Sequence, residues 1–256
     1  VRRFFHPDLN ATEGESFALR EETRHHLTRV LRLRSGAQFE LFDEQGRRLY
    51  CELKADERQV EVLAERKAEK SRLQMELIQA LPKGEKLELI LQKGTELGVS
   101  KFVLSASERA VTRIHSDKEK TRIVRWQKII QHACQQCGQM FPPALELCSR
   151  LEEALLSADG VLKLMLWEEA DTPLDQVLPA APPAVISVLI GPEGGFSAAE
   201  AQAAQGAGFL PVRLGPRILR TETAGLAILS ILQYVYGDFC SVPGDFAAKL
   251  HGEDPS

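Results

Sequence analysis

Val185-Ile-Ser-Val-Leu-Ile190 runs directly into Gly191-Pro-Glu-Gly-Gly-Phe196 and then into Ser197-Ala-Ala-Glu200, which opens an alanine-rich run. Six uncharged positions rich in branched side chains predict a buried, parallel strand, and Ser197 with Glu200 three residues on predicts a capping box at the start of a helix. The turn between them is a candidate ligand position, because open α/β sheets bind ligands just beyond the carboxyl ends of their strands. Gly191, Gly194 and Gly195 let backbone approach a ligand where a Cβ would obstruct it. A phosphate cradle is disfavoured: the Lys-Ser/Thr pair of a phosphate loop is absent, Pro192 lacks an N–H, and Glu193 carries the wrong charge. The turn suits a neutral or cationic ligand.

A second segment has the same character. Leu214-Gly-Pro-Arg-Ile-Leu-Arg-Thr-Glu-Thr-Ala224 reads as a strand end, a glycine-containing turn and a polar cluster, and a helical pattern over 225–236 follows it. Two such turns in one domain can enclose a small molecule between their backbone groups. The helix is apolar nearly all round, with Leu226, Ala227, Ile228, Leu229, Ile231, Leu232 and Val235, so it must be buried within the chain or against a second subunit.

Outward from these turns, 256 residues with 44% hydrophobic content can bury a sizeable core and suit two domains. The formal net charge is −4; residues 1–72 carry 15 Lys/Arg and 14 Asp/Glu, the remainder 17 and 22, so the acidity belongs to the C-terminal part. Five cysteines make no disulfide framework and predict a reducing compartment. Cys134 and Cys137 form a CxxC, but they share the stripe of Ile123, Trp126 and Ile130 on a predicted helix over 117–138. Without a second Cys/His pair at zinc spacing, core packing is favoured over metal. No apolar run approaches membrane-spanning length, and Val1-Arg-Arg-Phe-Phe-His6, followed at once by Pro7 and Asp8, is no secretory leader; the expectation is a soluble cytoplasmic protein.

The first part of the chain predicts a small β-barrel. Phe39-Glu-Leu-Phe42 and Leu49-Tyr-Cys-Glu-Leu53 flank the hairpin signal Asp43-Glu-Gln-Gly46, and Gln59-Val-Glu-Val62 continues the alternation. Helical character covers 21–33, and from Arg24 to Arg34 there are four arginines and two histidines without an acid. Such a run is either a solvated face or a phosphate-binding one. Residues 66–73 are a charged linker. Beyond it, 75–81, 87–91, 101–106, 161–167 and 185–190 read as strands and 92–98 as a short helix, a βαβ alternation. The approach to the long helix is basic, with Arg109, Arg113, Lys118, Lys120, Arg122, Arg125 and Lys128 against Asp117 and Glu119, again solvated or in contact with a nucleic-acid backbone.

Gly191-Pro-Glu-Gly-Gly-Phe-Ser197 and the segment 214–224 closely resemble the two signature loops of the bacterial 16S ribosomal RNA uracil-N3 methyltransferases, which belong to the SPOUT, or α/β-knot, superfamily. Arg2-Arg-Phe-Phe5 and Lys93-Gly-Thr-Glu-Leu-Gly98 extend the resemblance to nearly the whole chain. Ser107-Glu-Arg-Ala110 and Gln135-Gln-Cys-Gly-Gln139 depart from that family's Ser-Glu-Arg-Ser and Glu-Gln-Ser/Cys-Gly-Arg, outside the two loops. The resemblance implies an α/β fold: a SPOUT-type knotted parallel-sheet domain over 73–240, a PUA-like RNA-binding β-barrel over 1–72 and a tail over 241–256. It also implies a homodimer whose second subunit completes each active site.

The implied activity is S-adenosylmethionine-dependent methylation of uracil N3 at a uridine in the decoding region of 16S ribosomal RNA. The partner is that RNA or the small ribosomal subunit, with no metal. Cofactor positions are Leu166, then Leu189, Ile190, Gly191, Pro192, Glu193, Gly194, Gly195 and Phe196, and in the second loop Leu214, Gly215, Ile218, Leu219, Thr223 and Ala224. RNA-binding candidates are Arg2, Arg3, Arg24, Arg29, Arg32, Arg109 and Arg113. Uracil N3 carries a proton at neutral pH, so a group must promote its loss while the ring is oriented; Arg220, Thr221 and Glu222 are the candidates. Glu222 equally fits an acid in a helix's first turn, favoured by the macrodipole, whereas Arg220 would face that dipole's unfavourable end. Three other readings stand beside this one: a methyltransferase of the same superfamily acting on another RNA nucleotide, a noncatalytic RNA-binding or assembly protein, and a nucleotide-dependent enzyme. Two ligand-type turns count against the noncatalytic reading and the missing phosphate lysine against the nucleotide-dependent one.

Overall fold

The computed structural model describes residues 2–68, 70–109 and 116–240. The chain separates into two compact units, one of residues up to 70 with 131–142, the other of 71–130 with residues from 143 onward. The break at 70 falls in the charged segment 66–73. The return of 131–142 to the first unit has no marker in the sequence. Arg113 and the tail from 241 lie outside the described residues.

In the first unit the strands are β1 (Arg3–Phe5), β2 (Ser16–Ala18), β3 (Gln38–Phe42), β4 (Arg47–Leu53) and β5 (Gln59–Lys67), paired in the order β1-β3-β4-β5-β2. β3 and β4 form the expected hairpin, with Gly46 at φ +75° in its turn. Alternate residues point into a core of Phe4, Leu27, Phe39, Leu41, Leu49, Leu53, Val60 and Val62. The segments that follow β1 and β2 are joined by the Arg20 N–H, which donates to buried His6 Nε2 at 3.3 Å. The helix expected over 21–33 is shorter. α1 covers Glu21–His25, the chain widens into a π turn over His26–Val30, and Arg32 takes φ +55°. Thr28 Oγ1 donates back to the Arg24 carbonyl at 2.9 Å, a local bond that competes with regular helix.

The second unit is a six-stranded parallel sheet: β6 (Gln74–Ala80), β7 (Val99–Ser105), β8 (Ala144–Cys148), β9 (Leu162–Leu166), β10 (Val185–Ile190) and β11 (Leu210–Val212), in the order β11-β9-β10-β6-β7-β8. β10 lies between β6 and β9, and all of its residues but Val185 are buried, as its uncharged run demands. The helices are α2 (Lys86–Glu96), α3 (Ser116–Cys137, of which residues to 130 belong to this unit), α4 (Leu151–Leu156), α5 (Ala198–Gly206) and α6 (Thr221–Tyr236). The capping box of α5 is formed: Ser197 Oγ accepts from the Glu200 N–H at 3.2 Å and Glu200 accepts from the Ser197 N–H at 2.9 Å.

Two expectations are corrected here. Residues 87–91 are helix, the start of α2, not strand: Leu87, Ile90, Leu91 and Gly94 share the buried face at helical spacing, while Leu89 is exposed. The alternation of Leu87, Leu89 and Leu91 fits both periods over so short a run. On α3, Trp126, Ile130 and Cys134 are buried but Cys137 is exposed, so the CxxC is only half in the core. Among the described residues no cluster could hold a metal ion, and no helix is long and apolar enough to cross a membrane.

Candidate active site

Four neighbouring strands, β11, β9, β10 and β6, end on one edge of the sheet. The connection from β6 leads toward β7 on one side and that from β10 toward β11 on the other, so β6 and β10 flank a topological switch point where a crevice opens. A cavity of about 360 Å³ occupies it, lined by Lys86, Leu166, Glu168, Ile190 to Glu193, Gly195, Phe196, Ile218 to Thr221 and Ala224. A second cavity of about 150 Å³ adjoins it, lined by residues 212–219 and sharing Leu166, Glu168, Ile218, Leu219 and Ala224. Small-molecule sites span roughly 300–1,000 Å³, so the pair suits one ligand with two parts.

The glycines are required by close approach. A Cβ on Gly191 would stand 3.2 Å from the Phe196 ring, and one on Gly195, whose φ is +67°, would come within 2.3 Å of Glu168 Oε1. Buried Gln79, at the end of β6, donates to Thr221 Oγ1 at 3.0 Å, and Thr221 donates to the Gly191 carbonyl at 2.6 Å. One hydroxyl thereby ties the first loop to α6 and β6. Lys86 Nζ lies 2.9 Å from Glu193 and 3.3 Å from Glu222, bridging the two loops by charge. The Glu193 hydrogen bond raises the Lys86 pKa above its ordinary value. Burial pushes Glu193 up, but Lys86 and the Lys83 N–H outweigh it and hold the carboxylate below its usual range. Glu193 is thus neutralised by its partner and does not present a bare negative charge to the cavity. Arg220 caps α6 with its backbone, and its exposed guanidinium has no partner among the described residues.

Residues 69–233 match the family model described as an RNA methyltransferase domain, and residues 19–65 the RNA methyltransferase PUA domain. Ribosomal RNA small subunit methyltransferase E of Bacillus subtilis is 30% identical over 87% of this chain and 91% of its own length. The chain belongs to the ribosomal RNA small subunit methyltransferase E family. The Aquifex aeolicus member is 32% identical over 86% of this chain and 94% of its own. Methyltransferase E of Neisseria gonorrhoeae, solved bound to S-adenosylmethionine, superposes with a TM-score of 0.83 at 34% identity over 93% of this chain and 99% of that one. The chain is therefore an α/β protein of SPOUT type with an N-terminal PUA domain.

Placed on this methyltransferase E fold, most residues expected at the cofactor surround the two cavities, but three do not. Leu189 is fully buried in the core behind the loop, because side chains alternate along β10. Gly194 turns toward Arg109, whose guanidinium donates to the Gly194 carbonyl at 3.1 Å. Thr223 is exposed on the first turn of α6 and lines neither cavity. Of the RNA-binding candidates, Arg3 pairs with Glu40 at 2.9 Å and Arg24 with Glu21, while Arg2, Arg29 and Arg32 are exposed in the first unit. Lys86, Glu168 and Gln79 escape sequence reading. Gln79 and Glu168 lie at or just beyond a strand's carboxyl end and Lys86 opens the helix that follows β6, a signal usable only once the strand order is known. A larger cavity of about 660 Å³ beyond β7 and β8 contains four glutamates and one arginine and no residue of either loop.

Proposed function

We propose that this protein transfers a methyl group from S-adenosylmethionine to uracil N3 of a uridine in the decoding region of 16S ribosomal RNA, acting in the cytoplasm on the RNA or the small subunit. The observation that carries the reading is the convergence of two glycine-bearing loops on one crevice with an arginine, Arg220, at its rim that has no partner among the described residues. The crevice fits the cofactor: both loops line it, and glycine at 191 and 195 leaves room for the Phe196 ring and the Glu168 carboxylate that line it too. Backbone of 190–196 and 214–219 would hold the cofactor, which supplies an electrophilic methyl group.

The chain's own residues do the rest. Arg220 presents a fixed positive charge where the uracil becomes anionic on losing its N3 proton, an interaction stronger in the transition state than before it. Glu222 stands in the first turn of α6, paired with Lys86 at 3.3 Å, and lines neither cavity. Thr221 positions the first loop rather than the substrate, since its proton is already given to Gly191. Exposed Arg29 and Arg32 supply phosphate contacts. A homodimer through the outer face of α6 and a knotted chain path belong to the same reading; Ile231 and Tyr234 are left 37% and 46% exposed on that helix. Base mapping of 16S RNA from a deletion strain tests the substrate. N3-methyluridine absent there and restored by the purified protein is the expected result, and an unchanged map would reject the proposal.

A further inference from the structure

The charged side chains that line the main cavity are Lys86, Glu168, Glu193 and Arg220. Lys86 and Glu193 answer each other at 2.9 Å. Glu168 and Arg220 are left, one of each sign, and neither has an ion pair or hydrogen bond among the described residues. Arg220 is accounted for by the anionic substrate. Glu168 is not accounted for.

Glu168 follows the end of β9 and belongs to both cavities, on the wall they share with Leu166, Ile218, Leu219 and Ala224. Its carboxylate occupies the volume that a side chain at position 195 would need: a Cβ there would meet Oε1 at 2.3 Å and Oε2 at 3.3 Å. The glycine thus makes room for an acid at the junction of the two spaces. Glu168 is exposed and has no partner among the described residues, so its carboxylate is uncommitted and meets any cationic group that a ligand brings to the shared wall.

This inference rests on the S-adenosylmethionine reading above. That cofactor carries a fixed positive charge on sulfur, the atom that joins its nucleoside and amino-acid halves. Its product, S-adenosylhomocysteine, is the same molecule without the transferred methyl group and without that charge. A two-part ligand filling both cavities brings its joining atom to the wall they share. We infer that Glu168 is a specificity-determining residue that reads the sulfonium charge, so that the crevice favours the methyl donor over the spent product. The two unpaired charges then divide the reaction: Glu168 faces the group that loses positive charge, Arg220 the one that becomes anionic.

The test is calorimetric binding of S-adenosylmethionine, S-adenosylhomocysteine and methylthioadenosine, which has a neutral sulfur and no amino acid, to the full chain and to Glu168→Gln. The side chain is exposed, so the variant should melt with the wild type. Glu168→Gln should bind S-adenosylmethionine about tenfold more weakly, about 1.4 kcal/mol, and the two neutral-sulfur ligands within about twofold of wild type. Equal losses for S-adenosylmethionine and S-adenosylhomocysteine, with methylthioadenosine unchanged, would assign the carboxylate to the ammonium group and overturn the inference. Equal losses for all three would assign it to the ribose or the loop and overturn it likewise, as would no loss at all. Failure of the wild type to bind any of the three would instead remove the cofactor reading itself.

Discussion

Arg220 is held at the rim by its backbone role at the start of α6, where the helix dipole opposes its charge by about 0.3–1 kcal/mol. A residue kept at such a place without a protein partner is available to a substrate. Arg220→Ala should lower single-turnover transfer by roughly 10²–10³ while S-adenosylmethionine affinity changes little. Arg220→Lys should recover part of the rate, because it keeps the charge and loses the planar fork. Cofactor affinity that falls in step with the rate would instead make Arg220 a loop-holding residue. Thr221 poses the opposite case. Its hydroxyl serves Gly191 and Gln79 together, and losing it leaves the buried Gln79 amide with the Ala80 carbonyl and only a long 3.5 Å bond to the Gly191 carbonyl, at about 1–3 kcal/mol. Thr221→Val should therefore lower the melting temperature and weaken cofactor binding, and Thr221→Ser should restore both. If Val and Ser variants behave alike in calorimetry, the hydroxyl is not what holds the loop.

At the scale of elements, the N-terminal β module carries a pH dependence through His6. Burial, and then the positive charge of Arg20, lower the His6 pKa below 6.5, and its Nε2 accepts the Arg20 N–H. The unfolded chain therefore binds more protons than the folded one between the lowered pKa and 6.5, so stability rises with pH across that window and is lost as pH falls through it. Denaturation of the full chain at pH 7.5 and at pH 5.5 should show the wild type weakened at the lower pH. In His6→Gln, whose amide can still accept the bond, that difference should shrink; an equal loss in both proteins would place the acid sensitivity elsewhere. The shortened helix over 21–30 belongs to this scale too: periodicity predicted a regular helix, and a single back-bond from Thr28 accompanies a wider turn.

For the whole molecule, the return of 131–142 to the first unit changes how the chain can be cut. Within that unit Lys70 lies over the Phe141 ring, Gly46 leaves space for the same ring, and Gly138 faces Arg3. A fragment beginning at residue 73 loses all of these partners. Hydrogen exchange should show amides of 133–137, protected in the full chain, exchanging rapidly in the fragment; retained protection would mean the end of α3 is held without them. Assembly is the other question at this scale. The buried residues Ile228, Leu229, Leu232 and Val235 account for the inner face of α6, and Ile231 and Tyr234 are left partly bare. Sedimentation should find a dimer at micromolar concentration, and Ile231→Asp should shift it toward monomer. A wild-type monomer with full activity would sink the dimer.

The strand-turn-helix unit 185–206 was legible residue by residue, since an uncharged run, three glycines and a capping box are local signals that need no partner to be read. So were the second loop, the hairpin of the first unit and the buried stripe of α3 as far as Cys134. Leu87–Leu91 was not, because five residues satisfy both periods and only packing against the sheet selects the helix. Nor were Lys86, Gln79 and Glu168, which lie 27 to 142 residues from their partners in the site and meet them only through the order β11-β9-β10-β6. Sequence determined which backbone turns could hold a ligand, because conformational permission is a property of the residues themselves. Tertiary structure alone decided which charges face that ligand, because a charge is committed or free only according to what the fold sets beside it.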